Sequence, residues 1–474
     1  MGPAALLLAA LVSSSAPYVR SHTTTDPASH CLWWPTSTIT WQQNSVGNSA
    51  TGAAAFIAVT NAFAIWQMAM EDCGSVTLTE GARISTRRIG FDPDGVNSNL
   101  MLFRFSSCTK KVPATAACWA DGSCGNAFDC WGHASTLLGV TTVSYDTQTG
   151  RIFDADIELN AANNVYTTVN EPPCSGVLNQ TCVATDVRNT MVHEIGHFLG
   201  LGHAEGRTST MNATSSIGDL AKRTLDPGTK AFVCEVYTKN LAPKDCVIDA
   251  STDVLGPPAE VKTSGCASVS AGPSFVVLMA LAALWTRRRA AMGLVAVLAT
   301  SAQATTVLAL DLPRLTHASD AVVHAKVERV EARWSTDHSR IVTDVELVVV
   351  EPLKGTPGAR VVLRQPGGNL GRVGQRVEGA PVFVPGEEVV VFLEAQGPDF
   401  TVTGLSQGKF RVERATADAP LALQSMGEAL YLDPITAEQV SPVPLALPLE
   451  VLKARIKAAA AEEAPMSQPA LFAP

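Results

Sequence analysis

The chain has 474 residues, a net charge of −9 and a mean hydropathy of +0.15. Its length calls for two or three domains, its acidity gives no support to nucleic-acid binding, and its positive hydropathy calls for apolar segments beyond soluble cores. Of its eleven cysteines all but one precede residue 250, a bias suited to an oxidising compartment.

Residues 4–12, "AALLLAALV", form an apolar run that ends in Ser13-Ser14-Ser15-Ala16, the small residues a signal peptidase cuts after. Residues 1–16 are therefore predicted to be a secretory signal peptide, and the protein to be exported to the extracellular space, periplasm or cell envelope. Cys31, Cys73, Cys108, Cys118, Cys124, Cys130, Cys174, Cys182, Cys234 and Cys246 are even in number and allow up to five disulfides, with the pairing left open. Cys118, Cys124 and Cys130 crowd one loop; a second zinc site could use them, but disulfides are the expected use.

Residues 30–250 read as one α+β domain, a twisted mixed sheet plus helices. "STITW" (37–41) is a predicted strand. A helix follows over 51–70, with Phe56, Val59, Phe63, Trp66 and Met70 on one apolar stripe and Gly74 past its end. "VTLT" (76–79), "LMLFRF" (100–105) and "GVTTVSY" (139–145) are further strands. "IFDADIELN" alternates strictly: Phe153, Ala155, Ile157 and Leu159 on one face, Asp154, Asp156, Glu158 and Asn160 on the other. The acidic face offers oxygen ligands of the kind calcium (Ca2+) takes, although a solvated face is the expectation. His133 in "CWGHAST" could serve a second metal site; a structural histidine is expected. A helix over 186–200 ends at Gly200, and another spans 226–237.

Residues 251–274 form a linker rich in Pro, Gly, Ser and Thr. The segment 275–304 is apolar and broken by Arg287-Arg288-Arg289, so it is expected to meet the membrane. Gly265-Cys266, the apolar span and the Arg cluster together resemble the myxobacterial type of C-terminal sorting signal, which accounts for the odd cysteine. Past Met292, "GLVAVLATSAQA" carries the marks of a second signal peptide. Either 275–304 is a hairpin of two short membrane spans, or the reading frame joins two exported proteins. Residues 306–474 hold no cysteine and alternate strand-like runs with turns such as "GTPG" and "VPGEE", followed by a helix over 448–462. An all-β sandwich or barrel with a binding or structural role is expected there, with His317, His324 and His338 as isolated histidines.

The chemistry concentrates in His193–His203, "HEIGHFLGLGH". Residues four apart share one helix face, so His193 and His197 can offer two imidazoles to one zinc ion (Zn2+). Gly200 accepts a positive φ and lets the chain reverse, bringing His203 in as a third ligand. Three ligands leave the fourth position of the ion open, the arrangement of a catalytic site rather than a structural one. Glu194 is placed to take a proton from the water there, as the general base of a peptide-bond hydrolysis.

With Met211 downstream, the pattern H-E-x-x-H-x-x-G-x-x-H resembles the metzincin metalloproteases. The eight-residue step from His203 to Met211 is most similar to the matrixin branch. Over residues 30–240 the resemblance implies zinc ligands His193, His197 and His203, the base Glu194, a floor formed by Met211, and protein or peptide substrates. It also implies an edge strand that binds the substrate backbone, for which "LLGVT" (137–141), with Leu138, Gly139 and Val140, is the candidate by position. Matrixins carry Tyr then Pro after the turn methionine; here Asn212 and Ala213 follow. A rival reading keeps the ligands but drops the chemistry, giving an inactive zinc-binding or adhesion module.

Overall fold

Strand β1 (Thr38–Gln43) feeds helix α1 (Ala53–Cys73), which lies against the sheet it begins. Ala55, Ala58, Val59, Ala62, Phe63, Trp66, Ala69 and Met70 form its buried stripe, and the N–H of Gly74 closes its last turn on Met70. Trp41 stacks on Phe63 with ring centroids 3.8 Å apart. Full burial of each such side chain stabilises by about 1.5–3 kcal/mol. These details belong to a computed structural model, which describes residues 18–204, 208–247, 310–414, 420–424, 431–432, 439–440 and 446–462. The expected signal peptide, the linker and the apolar segment 275–304 lie outside the described residues. Among the described residues only α1 is long and apolar enough to cross a membrane, and its stripe is spent on the core.

Strands β2 (Thr77–Glu80), β3 (Asn99–Arg104), β4 (Gly139–Asp146) and β5 (Ile152–Asn160) complete the N-terminal sheet. β1 runs parallel to β2 and β3, β3 runs parallel to β5, and β4 is antiparallel to β5. Helices α2 (Val187–Phe198) and α3 (Pro227–Val236) follow, with α2 packed between α1 and the sheet. The indole N–H of Trp66 on α1 donates to the carbonyl of Val192 on α2 at 2.9 Å. The mixed sheet with helices predicted for this region is present.

The ten cysteines before residue 250 pair as Cys31–Cys246, Cys73–Cys234, Cys108–Cys130, Cys118–Cys124 and Cys174–Cys182. A second zinc site on Cys118, Cys124 and Cys130 is thereby ruled out, since all three sulfurs are consumed. Closing a loop as long as the 215-residue separation of Cys31 and Cys246 stabilises by about 5.4 kcal/mol in the chain-entropy account.

The C-terminal region comprises α4 (Leu312–Ala318), β6 (Ala321–Trp334), β7 (Ile341–Lys354), β8 (Arg360–Pro366), β9 (Gly368–Leu370) and β10 (Val373–Val377). β11 (Glu388–Gln396), β12 (Asp399–Val402), β13 (Lys409–Glu413), β14 (Leu421–Gln424), β15 (Ala446–Pro448) and α5 (Leu449–Ala461) follow. Eight of these strands form a sheet in the order β12-β8-β7-β6-β11-β13-β14-β15, and β12 pairs with β11 as well. The unbroken apolar run of β11 serves two cores. Val389, Val391 and Leu393 pack with Val323, Leu347 and Leu363, while Val390 and Phe392 pack with Phe410, Leu452 and Ile456 under α5. A strand covered on both faces loses the need to alternate.

Residues 18–247 and 310–462 belong to one compact unit. The loop that joins β6 to β7 reaches the N-terminal sheet, where Arg340 pairs with Glu158 at 3.0 Å and the Ser339 hydroxyl accepts from Asn126 at 2.8 Å. This corrects the reading of β5, whose acidic face is buried rather than solvated: Asp154, Asp156 and Glu158 are each 1% exposed. Asp156 accepts the N–H groups of Gly90 and Leu100; Glu158 is held by Arg104, Arg340 and His133. Phe153, expected on the buried face, is 40% exposed. With Asp156 and Glu158 so engaged, this face gathers no set of six to eight oxygens of the kind calcium requires, among the described residues.

The hydroxyl and N–H of Ser135 donate to Glu394 on β11 at 3.1 Å. Burial pushes that carboxyl up to about 7 from 4.5. The folded chain holds this proton more tightly than the unfolded one, so its contribution to stability is full below about pH 4.5 and is lost as pH rises through about 7. Glu394→Gln should therefore melt with wild type near pH 5 and about 2–4 °C above it near pH 8, in thermal scans at both values.

Candidate metal centre

Helix α2 starts where Asp186 caps it, accepting the N–H of Asn189 at 2.7 Å. It runs straight through His193 and His197 and stops at Gly200, whose φ of 97° only glycine adopts freely. A Cβ at Gly200 would stand 2.4 Å from the carbonyl oxygen of Leu32, so the reversal also depends on close backbone approach. The N–H of Gly200 bonds to the carbonyl of His197 at 2.9 Å and that of Leu201 to Gly196 at 2.9 Å, closing the helix end. The chain then returns with His203 facing the helix.

The three Nε2 atoms lie 3.1 Å (His193–His197), 2.8 Å (His197–His203) and 2.7 Å (His193–His203) apart. His193 Nδ1 lies 2.7 Å from the Thr210 carbonyl and His197 Nδ1 lies 2.8 Å from the Leu201 carbonyl. Those carbonyls accept only from N–H, which assigns the proton to Nδ1 and turns the Nε2 lone pairs toward one point. Exposure of the three rings is 0, 1 and 2%. Burial pushes His193 and His203 well below the ordinary imidazole range, with like-charge neighbours adding to it, so both stay neutral. Converging lone pairs in a dry site repel unless a cation sits between them. A donor set of three imidazoles fits zinc.

Glu194, also fully buried, accepts from the Thr141 hydroxyl at 2.6 Å. A Cβ at Gly139 would lie 2.9 Å from its Oε1, so β4 passes the carboxylate with room for glycine alone. Of the candidate edge-strand residues, Gly139 and Val140 open β4, and Leu138 just precedes it and accepts from the N–H of Asn160 at 2.8 Å. All three are buried, and the sheet does not end at β4. β9 and β10 extend it, giving the order β9-β10-β4-β5-β3-β1-β2, with Val373–Val377 laddered antiparallel to Thr142–Asp146. The C-terminal region thus pairs with β4 just past the candidate stretch, from Thr142 to Asp146.

Met211 is fully buried beneath α2, and its sulfur would be 2.1 Å from a Cβ at Gly196. Gly196, not singled out from the sequence, is what lets the methionine approach. Asp226 was missed as well: it caps α3 by accepting from Gly228 and holds the turn by accepting the Thr210 N–H at 2.8 Å. Thr210 is the residue whose carbonyl orients His193. Lys222 packs against α2, with its N–H on Asn189 at 2.8 Å. Its ammonium is buried without a hydrogen-bond partner among the described residues, and burial pushes it down to about 8. Asn212 and Ala213 are buried in the turn. His133 is spent on Glu158 at 3.1 Å, a structural partner. A second cluster, His22, Cys31 and Cys246, is not a metal site because its two sulfurs form a disulfide.

Asp226→Ala should remove both the cap and the anchor of the turn. The expected cost is about 1–2 kcal/mol of stability and a roughly 10–100-fold loss of zinc affinity, read by thermal melting and by competition with a zinc chelator.

In comparisons with known proteins, no curated protein matches the chain. The Matrixin family model matches residues 95–238, which begin after α1 and contain β3, β4, β5, the three histidines and the turn at Met211. Residues 95–238 thus place this part of the chain in a matrixin-like metzincin catalytic domain.

Proposed function

We propose that the protein is an exported zinc-dependent endopeptidase that cleaves peptide bonds with a water activated by Glu194. The observation that carries this reading is the convergence of three buried imidazoles, with Nε2 atoms 2.7–3.1 Å apart, beside a buried carboxylate. His193, His197 and His203 would hold the zinc, which when bound supplies a Lewis acid that acidifies water and polarises the scissile carbonyl. Glu194 accepts the proton of the attacking water and delivers it to the leaving nitrogen. The Thr141 hydroxyl donates to one oxygen of Glu194 and orients the carboxylate for that transfer. The retained carboxylate favours hydrolysis over a pure binding site, because burying an unused charge costs stability.

Five disulfides fit an oxidising compartment. Export through residues 1–16 and an envelope or membrane anchor at 275–304 complete the proposal. Glu194→Gln should bind zinc as wild type does and lose about 10²–10⁴-fold in kcat. Metal analysis beside a peptide-cleavage assay measures both. Chelator-insensitive cleavage, or equal cleavage by the variant, would overturn the reading.

A further inference from the structure

The C-terminal region reaches the strand beside the catalytic carboxylate, and it does so with a segment that its own sheet does not need. β9 and β10 lie outside the eight-stranded C-terminal sheet; their ladder partners are each other and β4. Five residues pair in register, from Val373 opposite Asp146 to Val377 opposite Thr142. The ladder ends one residue short of Thr141, the residue bonded to Glu194.

The side chains reinforce this. Val377 fills an apolar cluster with Trp131, Leu137, Val140 and Leu405. Arg376 pairs with Glu378 and donates to the His22 carbonyl at 3.0 Å. Asn369 donates to the Thr23 carbonyl at 3.1 Å. Ser21, two residues before Thr23, donates its N–H to the Gly200 carbonyl at 3.0 Å, so the C-terminal hairpin is braced on the loop that delivers His203. Gly379, with φ 83°, then turns the chain away. In this arrangement Glu194 and the three histidines are no more than 2% exposed.

We propose that the C-terminal β-rich region is the inhibitor of the N-terminal metalloprotease, donating β10 to the edge of β4 where an extended substrate would add. This rests on the protease reading above. β10 takes the edge of β4 from Thr142 to Asp146, directly after the stretch Gly139–Thr141 beside Glu194, so an extended peptide laid along that edge would run into it. The chemistry of the displaced partner is therefore an extended peptide, whatever its side chains.

The test uses the full chain. Gly374→Val places a side chain where even a Cβ would be 2.5 Å from the Tyr145 ring, and Val377→Asp puts a charge into the apolar cluster. Hydrogen exchange over residues 139–146, binding of a peptide hydroxamate and cleavage of an unstructured peptide are read on each, with far-ultraviolet circular dichroism to exclude a misfolded variant. At least tenfold faster exchange, tighter hydroxamate binding and at least tenfold faster cleavage are expected for either folded variant. Unchanged exchange, or faster exchange with cleavage and hydroxamate binding equal to wild type, would overturn the inhibitor assignment. If no form cleaves but the variants gain hydroxamate binding, occlusion stands and it is the protease reading that fails.

Discussion

Three imidazole lone pairs cannot share one dry spot without a positive charge among them, and most of the N-terminal structure is arranged to force that encounter. The helix presents two rings one turn apart, and the reversal at Gly200 returns the third. Carbonyls of Thr210 and Leu201 pin the protons on the outer nitrogens. Burial then disfavours protonating His193 and His203, because an imidazolium there would have no solvent to stabilise it. Each of these features is unfavourable alone. They become consistent only around a cation, which is why the donor geometry speaks more clearly than the motif spacing.

The supports of this centre come from distant parts of the chain. Asp226 caps one helix and fixes the turn whose carbonyl orients a ligand on another. Trp66 ties α1 to α2, and Gly196 and Gly139 allow Met211 and Glu194 their close approaches. Substitutions at such positions would shift the candidate metal site and the Glu194 carboxylate without touching either.

The elements that follow side-chain periodicity were legible in the sequence: the stripe of α1, the alternation of β5, the helix carrying the motif. His193 and His197 were legible because helical spacing states which side chains share a face, His203 because Gly200 marks the reversal, and Glu194 because it adjoins the first ligand. What covers a face was not legible. The acidic row of β5 was read as solvated because the residue that neutralises Glu158, Arg340, lies far along the chain in a different region. Likewise "GGNLGRVGQRV" is too rich in glycine and polar residues to announce a strand, yet it pairs through its backbone. Asp226, Lys222 and Gly196 were missed for the same reason: their importance depends on neighbours that spacing does not reveal.

The ladder between β4 and β10 has a thermodynamic consequence that depends on covalent continuity. The ladder is one part of a contact that also holds Arg340 on Glu158 and Glu394 on Ser135, and on one polypeptide each dissociation is followed by an intramolecular return, at an effective concentration set by the intervening chain. A single cut within 248–309 would keep the five ladder pairs and change the order of the reaction, so that the strand's return would depend on protein concentration instead of on the chain.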